Sequence, residues 1–597
     1  MASNNGSYDV AIVGGGPAGS TAATLLKKYV PELRVLVLEK ESFPRDHVGE
    51  SLLPPICPIL DEMGVWDAVE AANFPIKIGA SYTWGRNNDR WDFDFYPIEK
   101  WRDEPRPAKF EGQRRQTAFQ VDRSIYDKIL LEHTRESGAE VKQGVRVDEV
   151  LVSGDRIEGL KLSSGETVEA HYYIDASGTV ALLRRALGIG IDPALEMRNI
   201  AVWDYWTNAE WAVEIGKGAT RIQVRSLPYG WIWFIPLGPT RTSIGLVCPA
   251  EYYKNAGLSA EELYHKSLDL QPEISKLLEN AKPEGRITTC RDWSHLADRV
   301  VGENWFLCGE AAGFADPILS AGMTLAHLSA RDAAYTILEY RRGEHEGSWL
   351  RQRFAEKQRT AIRQHIQFAQ YWYAANSCFT ELKEHCAGIA RDAGLNLDPQ
   401  EAWDWLGRGG FTSESETIAS AGTLDPASAK KLLELFDTKQ RKATWLIDGH
   451  NVFMLDLRGA ERERAGILSQ GRIHAIPCYV RKSRRLPVAG FYARMIDVLR
   501  QTSDFATMMA LIEKTLGDIP ATDPKNRQFL RSQHLQVLEV MVQDGWVERK
   551  YNDSRPVLRV DPEVQHIRLS RDANEALQRA GRSSILRSRI DENGLES

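Results

Sequence analysis

The apolar run Tyr8-Asp-Val-Ala-Ile-Val13 leads directly into Gly14-Gly15-Gly16-Pro17-Ala18-Gly19, and a helical stretch follows through Lys28. Strand, glycine turn and helix in that order confine the N-terminal region to a parallel α/β sheet that binds a dinucleotide. Gly14 makes the tight turn, Gly16 lets the backbone approach a pyrophosphate, and Gly19 lets the helix pack on the strand. The pyrophosphate then meets free N–H groups at the helix N-terminus, within the turn that includes Ala18. About 20 residues on, the second strand, RVLVLEK, ends at Glu39 and Lys40, where an acid can accept hydrogen bonds from a ribose.

At 597 residues the chain is too long for a single growing core, so two or more domains are expected. A formal net charge of −7 argues against bulk binding to nucleic acid or an anionic membrane. The seven cysteines are scattered and contain no C-x-x-C pair, which suits reduced thiols and leaves no expected metal site. Residues 1–7 carry no basic region followed by an apolar run, and the most apolar stretch, Trp231 to Cys248, is broken by Pro236, Gly238 and Pro239. Neither a signal peptide nor a membrane span is expected, which implies a cytoplasmic location.

Downstream, NWFLCGEAAGFADPILSAGMTLA (Asn304 to Ala326) again reads as strand, turn and helix. Together with Asp122-Arg123 ahead of a helix and YYIDASGT, which carries Asp175, it resembles the para-hydroxybenzoate hydroxylase group of flavoproteins. In that group a strand ending in Gly-Asp, followed by Asp-Pro, closes over the flavin. Here the pairs are Gly309-Glu310, one methylene longer, and Asp316-Pro317. The resemblance implies FAD rather than NAD. No second G-x-G-x-x-G follows a strand, and Gly407-Arg408-Gly409-Gly410 lacks one, so reducing equivalents are expected from a separate NAD(P)H-dependent flavin reductase.

In Gly230-Trp-Ile-Trp-Phe-Ile-Pro236, Trp231 and Trp233 share one face of a strand, as ordinary core residues also do. The run Trp231 to Pro236, with Ile235, is similar to the W-x-W-x-I-P signature of flavin-dependent halogenases. Three further segments agree: FPIKIGASYTWG, with Lys77 ahead of Gly79-Ala80; FPRDHVGESLLP, with Arg45 and Ser51; and Asp316 to Gly322. The chain resembles that family from about residue 8 to about residue 350. The resemblance implies that reduced FAD and molecular oxygen form a C4a-hydroperoxide, that chloride or bromide attacks it, and that hypohalous acid reaches Lys77. The lysine then presents the oxidant to an electron-rich aromatic ring, by hydrogen bond or as a haloamine. A lysine snorkelling from a surface loop is the plainer alternative.

The family resemblance also places a halide on the backbone N–H groups of Ala321 and Gly322 after Ser320, a position where Ser320 could act simply as a helix cap. It makes Trp231, Trp233, Ile235 and Pro236 a wall between flavin and substrate. Halogenases of free tryptophan carry a glutamate before that serine; this chain has Leu319, so a phenol or pyrrole, free or tethered to a carrier protein, is expected. The rival functions are a flavin monooxygenase and an alkene reductase similar to the geranylgeranyl reductases.

The expected architecture is α/β. It comprises an FAD-binding Rossmann-like body over 1–350 with substrate-sheet insertions at about 75–120 and 199–295, a helical region over 351–520, and a module resembling a winged helix over 521–597. The last rests on a helix around Phe529 to Val542 followed by GWVERKYNDSRPVLRV, read as two strands. With 13 basic against 12 acidic residues from Ala521 onward it has no electrostatic footprint for DNA. Arg481-Lys482-Ser483-Arg484-Arg485 is a candidate dock for an acidic carrier, and Phe368, Tyr371, Trp372 and Tyr373 are expected either to pack or to line a chamber.

Overall fold

Five short parallel strands carry the glycine turn. Their order across the sheet is Glu140–Gln143, Val35–Glu39, Tyr8–Val13, Ala170–Asp175 and Trp305–Leu307. That is the order of a Rossmann-like half, with the strand direction of travel reversing beside Tyr8–Val13, and it leaves a crevice at the C-terminal strand ends. The structure is a computed structural model that describes residues 8–84, 90–192, 198–291, 294–374, 430, 445–481, 484–517, 524–555 and 567–569. The central strands are largely apolar because both faces are covered: Tyr172 and Phe306 pack against Tyr340 of the helix Gly322–Arg342, while Tyr173 donates to the Glu158 carbonyl of the antiparallel strand Arg156–Leu162, and Val10 to Ile12 are fully buried.

The helix Pro17–Tyr29 starts with proline in its first turn and ends on Lys27 and Lys28, which complement the helix dipole. Three helices meet beneath the glycine turn through one side chain. His327, on the helix Gly322–Arg342, bonds Thr21 Oγ1 at 2.8 Å through Nδ1 and the Tyr126 hydroxyl at 3.0 Å through Nε2. Tyr126 belongs to the helix Arg123–Glu136.

Strands from residues 76–119 and 199–291 build a second, mixed sheet. Its order runs from Lys282–Pro283 through Asn199–Thr207, Arg241–Pro249, Gly230–Pro236 and Ala219–Leu227 to Ile76–Thr83 and Arg90–Asp94. All these pairings are antiparallel except Ala219–Leu227 with Ile76–Thr83, which is parallel. Trp203 and Trp233 both pair with Gly245 on the strand between them. A Cβ on Gly245 would stand 2.1 Å from Cζ2 of Trp233, so the indole lies against the bare backbone there.

The chain separates into two compact units, one built mainly on Met1–Phe379 and the other on Thr380–Ser469 and Ile473–Ile567. The first therefore extends beyond the expected limit at 350, because the helix Gly347–Ala374 packs on the helix Gly322–Arg342. The region expected to be helical over 351–520 contains the strands Val452–Leu455, Glu461–Ser469, Arg472–Arg481 and Arg484–Pro487. The segment RIHAIPCYVR carries Ile473, Ile476, Tyr479 and Val480, types that favour a strand, and Pro477, which a helix interior does not tolerate. The helix expected near Phe529 is present as Pro524–Gln543. The strand after it, Val547–Lys550, pairs with Val452–Leu455, about a hundred residues away, and the proposed second wing strand lies outside the described residues. Arg484 and Arg485 are ion-paired to Asp544 and Glu463, and Arg481 donates to the Gly545 carbonyl, so these arginines stabilise their own unit. Among the described residues no helix is long and apolar enough to cross a membrane.

Gly245→Ala is expected to push the Trp233 ring off its seat and cost about 1–3 kcal/mol, as overpacking does. Urea unfolding measures it, and an unchanged midpoint would show that the ring has room to move.

Candidate active site

A cavity of about 940 Å³ opens at the C-terminal ends of the parallel strands and runs to the face of the second sheet. Gly14, Gly16, Ala18, Glu39, Lys40, Arg45, Ser51, Arg123, Gly309, Glu310, Ser320 and Gly322 all line it, as do Trp231, Trp233 and Ile235. Gly14 adopts a φ of +105°, and a Cβ there would lie 2.3 Å from the Ala176 carbonyl oxygen. Gly19 stands outside the lining, where a Cβ would lie 1.9 Å from the Gly14 carbonyl oxygen, so it serves helix packing. A Cβ on Gly16 would meet only Arg45 Nη2, at 3.6 Å, which leaves the helix N-terminus open toward the cavity. Glu39 is held by two backbone donors, Gly15 N–H at 2.7 Å and Glu41 N–H at 2.9 Å.

The segment 45–51 forms part of the cavity wall, and sequence reasoning singled out only Arg45 and Ser51 from it. Arg123 grips Asp127 through two bonds of 2.7 and 2.8 Å and donates to the Val48 carbonyl at 2.8 Å. Arg241 reaches from the second sheet to Asp46 at 3.0 Å, Asp122 at 2.7 Å and Glu284 at 2.9 Å. Its guanidinium lies 3.9 Å from the Tyr205 ring centroid, and the Tyr205 hydroxyl donates to Glu50 Oε1 at 3.0 Å. Both ends of the segment are thus tied to the second sheet. No motif marks Arg241 or Tyr205, since their partners lie far off in sequence.

Two expected cofactor residues face elsewhere. Asp175 is fully buried, and its oxygens take Ser177 N–H and Oγ, Leu183 N–H and Arg184 N–H, so the carboxylate holds a turn and starts a helix. Asp316 is also fully buried outside the lining, accepting from Ile318 N–H at 2.9 Å and the Tyr373 hydroxyl at 2.8 Å. Both carboxylates act on backbone because each begins a tight turn rich in orphan N–H groups.

Ser320 adopts the left-handed conformation (φ 55°, ψ 28°) between right-handed turns. Such an alternation lines successive N–H groups into a concavity suited to an anion, and the helix Gly322–Arg342 begins there. Ser320 caps nothing with its side chain, and its backbone N–H bonds the Pro317 carbonyl at 3.0 Å. Ala321 carries a buried side chain away from the lining, as does Pro236 at the end of its strand.

Lys77 does not snorkel: it is 2% exposed, on the strand Ile76–Thr83, with its ammonium 5.4 Å from the Phe95 ring centroid. Nor does it line the cavity. Lys77 pairs with Thr220, Ala80 with Ile222 and Tyr82 with Val224, the register slipping by one residue between them. That bulge keeps Lys77, Ala80 and Tyr82 on one face. Val224 in turn pairs with Trp233, and Ser226 with Trp231, so the lysine shares its face with both indoles. Ile222 and Val224 line the cavity, and Lys77 stands one strand beyond them, about 4.8 Å further across the sheet. Burial pushes the ammonium down to about 7. Trp231 and Trp233, at 1% and 5% exposure with ring centroids 6.1 Å apart, are core and lining at once. Trp372 packs against Tyr82 and Trp91 at 5.2 and 5.8 Å, on the same side as the lysine.

The profile of the tryptophan halogenase family matches residues 9–105 and 98–380. A tryptophan 2-halogenase of Chondromyces crocatus is 36% identical over 346 residues, 57% of this chain and 62% of that protein, so the match spans less than two thirds of that relative. A 1H-pyrrole-2-carbonyl-(peptidyl-carrier protein) chlorinase of Pseudomonas fluorescens is 35% identical over 62% of this chain and 85% of its own. Among solved structures, the myxobacterial chondrochloren halogenase CndH aligns with a TM-score of 0.56 at 29% identity, covering 66% of this chain and 91% of its own. The flavin-dependent halogenase CmlS aligns with a TM-score of 0.68 at 24% identity over 94% and 99%, a likeness of fold.

Burying Lys77 gives a stability signature. The unfolded lysine titrates near 10.4 and the folded one near 7. Between these values the unfolded chain holds the extra proton, so stability rises with pH across that window and the full penalty is felt at pH 7 and below. Lys77→Met is expected to be more stable than wild type by over about 1 kcal/mol at pH 7, with the gap narrowing toward about pH 10. A variant no more stable at pH 7 would show that the ammonium is well solvated.

Proposed function

This chain belongs to the tryptophan halogenase family of flavin-dependent enzymes, and from that premise we propose that it halogenates a phenolic or pyrrolic ring, free or tethered to a carrier protein. The observation that carries the reading is the buried Lys77 ammonium on the indole-bearing face, one strand past the end of the cavity. The residues present fit FAD. Ser51 Oγ is buried without a hydrogen-bond partner at the cavity wall, Arg45 Nη1 makes no hydrogen bond and has only a 3.6 Å ion pair with Asp127, and Gly16 leaves a helix N-terminus open to a pyrophosphate.

Gly14, Gly16 and Ala18 would hold the pyrophosphate, Glu39 the ribose, and Arg45, Ser51, Arg123, Gly309 and Glu310 the remainder of the cofactor. Reduced FAD with oxygen and chloride or bromide supplies the electrophilic halogen. The turn Ser320-Ala321-Gly322 seats the halide on backbone N–H groups. Trp231, Trp233 and Ile235 keep the organic substrate off the flavin side and leave small oxidants a way past. Lys77 receives the oxidant and orients it toward the substrate ring. With a single dinucleotide fingerprint in the sequence, a separate NAD(P)H-dependent flavin reductase provides FADH2.

The relatives differ in substrate, one named for tryptophan and another for a carrier-bound pyrrole. Leu319 favours the second, since a hydrocarbon in place of the glutamate offers no carboxylate to help deprotonate an indole, whereas a phenol or pyrrole activates its own ring.

Incubation with a flavin reductase, NADH, FAD and bromide over free and carrier-bound phenols and pyrroles should give a product with the bromine isotope pair by mass. Free tryptophan should be converted poorly; efficient conversion would overturn the substrate assignment, and rapid NADH oxidation without added reductase would favour the monooxygenase reading. Lys77→Met should consume FADH2 and oxygen normally yet form less than about a tenth of the product, a barrier change above roughly 1.4 kcal/mol. A haloamine needs the neutral amine, so product per FADH2 then rises as pH increases through about 7; a hydrogen-bonding ammonium makes it fall. A profile flat from about pH 6 to 8 removes the lysine's titration from the mechanism.

A further inference from the structure

Tyr373 lies near the end of the helix Gly347–Ala374 and is fully buried. Its hydroxyl accepts from Trp231 Nε1 at 2.9 Å and donates to Asp316 Oδ1 at 2.8 Å. The same Oδ1 accepts the Ile318 N–H at 2.9 Å and so fixes the turn Pro317–Leu319 that delivers Ser320 in its left-handed conformation. An indole N–H can only donate and an ionised carboxylate can only accept, while a hydroxyl does both. Tyr373 is therefore the group whose chemistry can join the two in one directed line. That line connects an indole of the wall to the turn that presents the Ser320–Gly322 backbone.

We infer that Tyr373 is a positioning residue: its hydroxyl sets the Trp231 indole and the Asp316 turn in one fixed relation, so that the anion seat and the wall in front of it are held together. The assignment rests on the halogenation reading. Without the hydroxyl, a buried N–H loses its acceptor and the turn loses a restraint, and the cost falls on the anion seat and on the tightness of the wall. The ring itself stays held in the phenylalanine variant, since it packs beside Trp84 at 6.0 Å.

The test compares wild type with Tyr373→Phe as full-length, FAD-loaded protein. Bromide is titrated by intrinsic tryptophan fluorescence, and product, FADH2 consumed and free hypobromous acid are measured under turnover. The apparent bromide dissociation constant is expected to rise about tenfold, the effect of one hydrogen bond. Product per FADH2 should fall and trapped hypobromous acid should rise, while FAD affinity and FADH2 consumption hold. Unchanged bromide affinity and unchanged coupling, whatever the thermal midpoint, would overturn the assignment, since a purely structural role moves only stability. Trp231→Phe removes the donor from the other side, and the double variant should lose no more bromide affinity than the larger single effect; full additivity would break the line. If wild type halogenates nothing, the halogenation reading falls, and the bromide titration still reports whether Tyr373 holds an anion seat.

Discussion

An ammonium kept out of water is the constraint around which this structure is arranged. Lys77 stands buried in a sheet with the Phe95 ring beside its ammonium, and burial there disfavours the charge. Its surroundings leave the amine and the ammonium close in free energy near neutral pH. Such a group can hold or hydrogen-bond a small electrophile, which a solvated surface lysine would surrender to water. The neighbouring strands make the placement usable. A one-residue slip keeps Lys77 on the face of Trp231 and Trp233, and Gly79 beside the slip lets the neighbouring strand come close, since a Cβ there would lie 2.0 Å from the Phe93 carbonyl oxygen.

The two sheets divide the work. The parallel sheet ends in a glycine turn whose geometry is dictated by close backbone approach, and that turn opens a cavity lined on its far side by the second sheet. Arg241 and Tyr205 tie the cavity segment 45–51 to that second sheet through ion pairs and a hydroxyl. Partly buried charges acting on several partners at once hold a loop better than isolated surface pairs do. Packing and cavity shape coincide at the two indoles: Trp233 is buried because it lies on Gly245, and it bounds the cavity for the same reason.

Motif reading served best where chemistry is local. A Cβ on Gly14 or Gly19 would meet backbone at 2.3 and 1.9 Å, as a tight turn and close helix packing require, whereas one on Gly16 would meet only Arg45 Nη2 at 3.6 Å. Such reading misled where residue type and neighbourhood were right but orientation was not. Asp175 and Asp316 sit at the ends of the right strands and yet spend their oxygens on the turns they begin. It also read strands as helix around 452–487, where β-branched and aromatic residues and the internal Pro477 carry the opposite signal.

What the sequence by itself determined is the strand, glycine turn and helix of the dinucleotide site, the pairing of two indoles on one face, and the lysine ahead of Gly79. Each depends on residues within a few positions of one another, and backbone sterics and side-chain alternation act over that range. Only the tertiary structure decided that Lys77 is buried and shares the indole face, that Arg241 clasps the cavity segment, and that Tyr373 joins Trp231 to Asp316. Those relations come from strand register and hydrogen bonds between residues 57 to 195 positions apart, whose partners are chosen by packing of the whole chain.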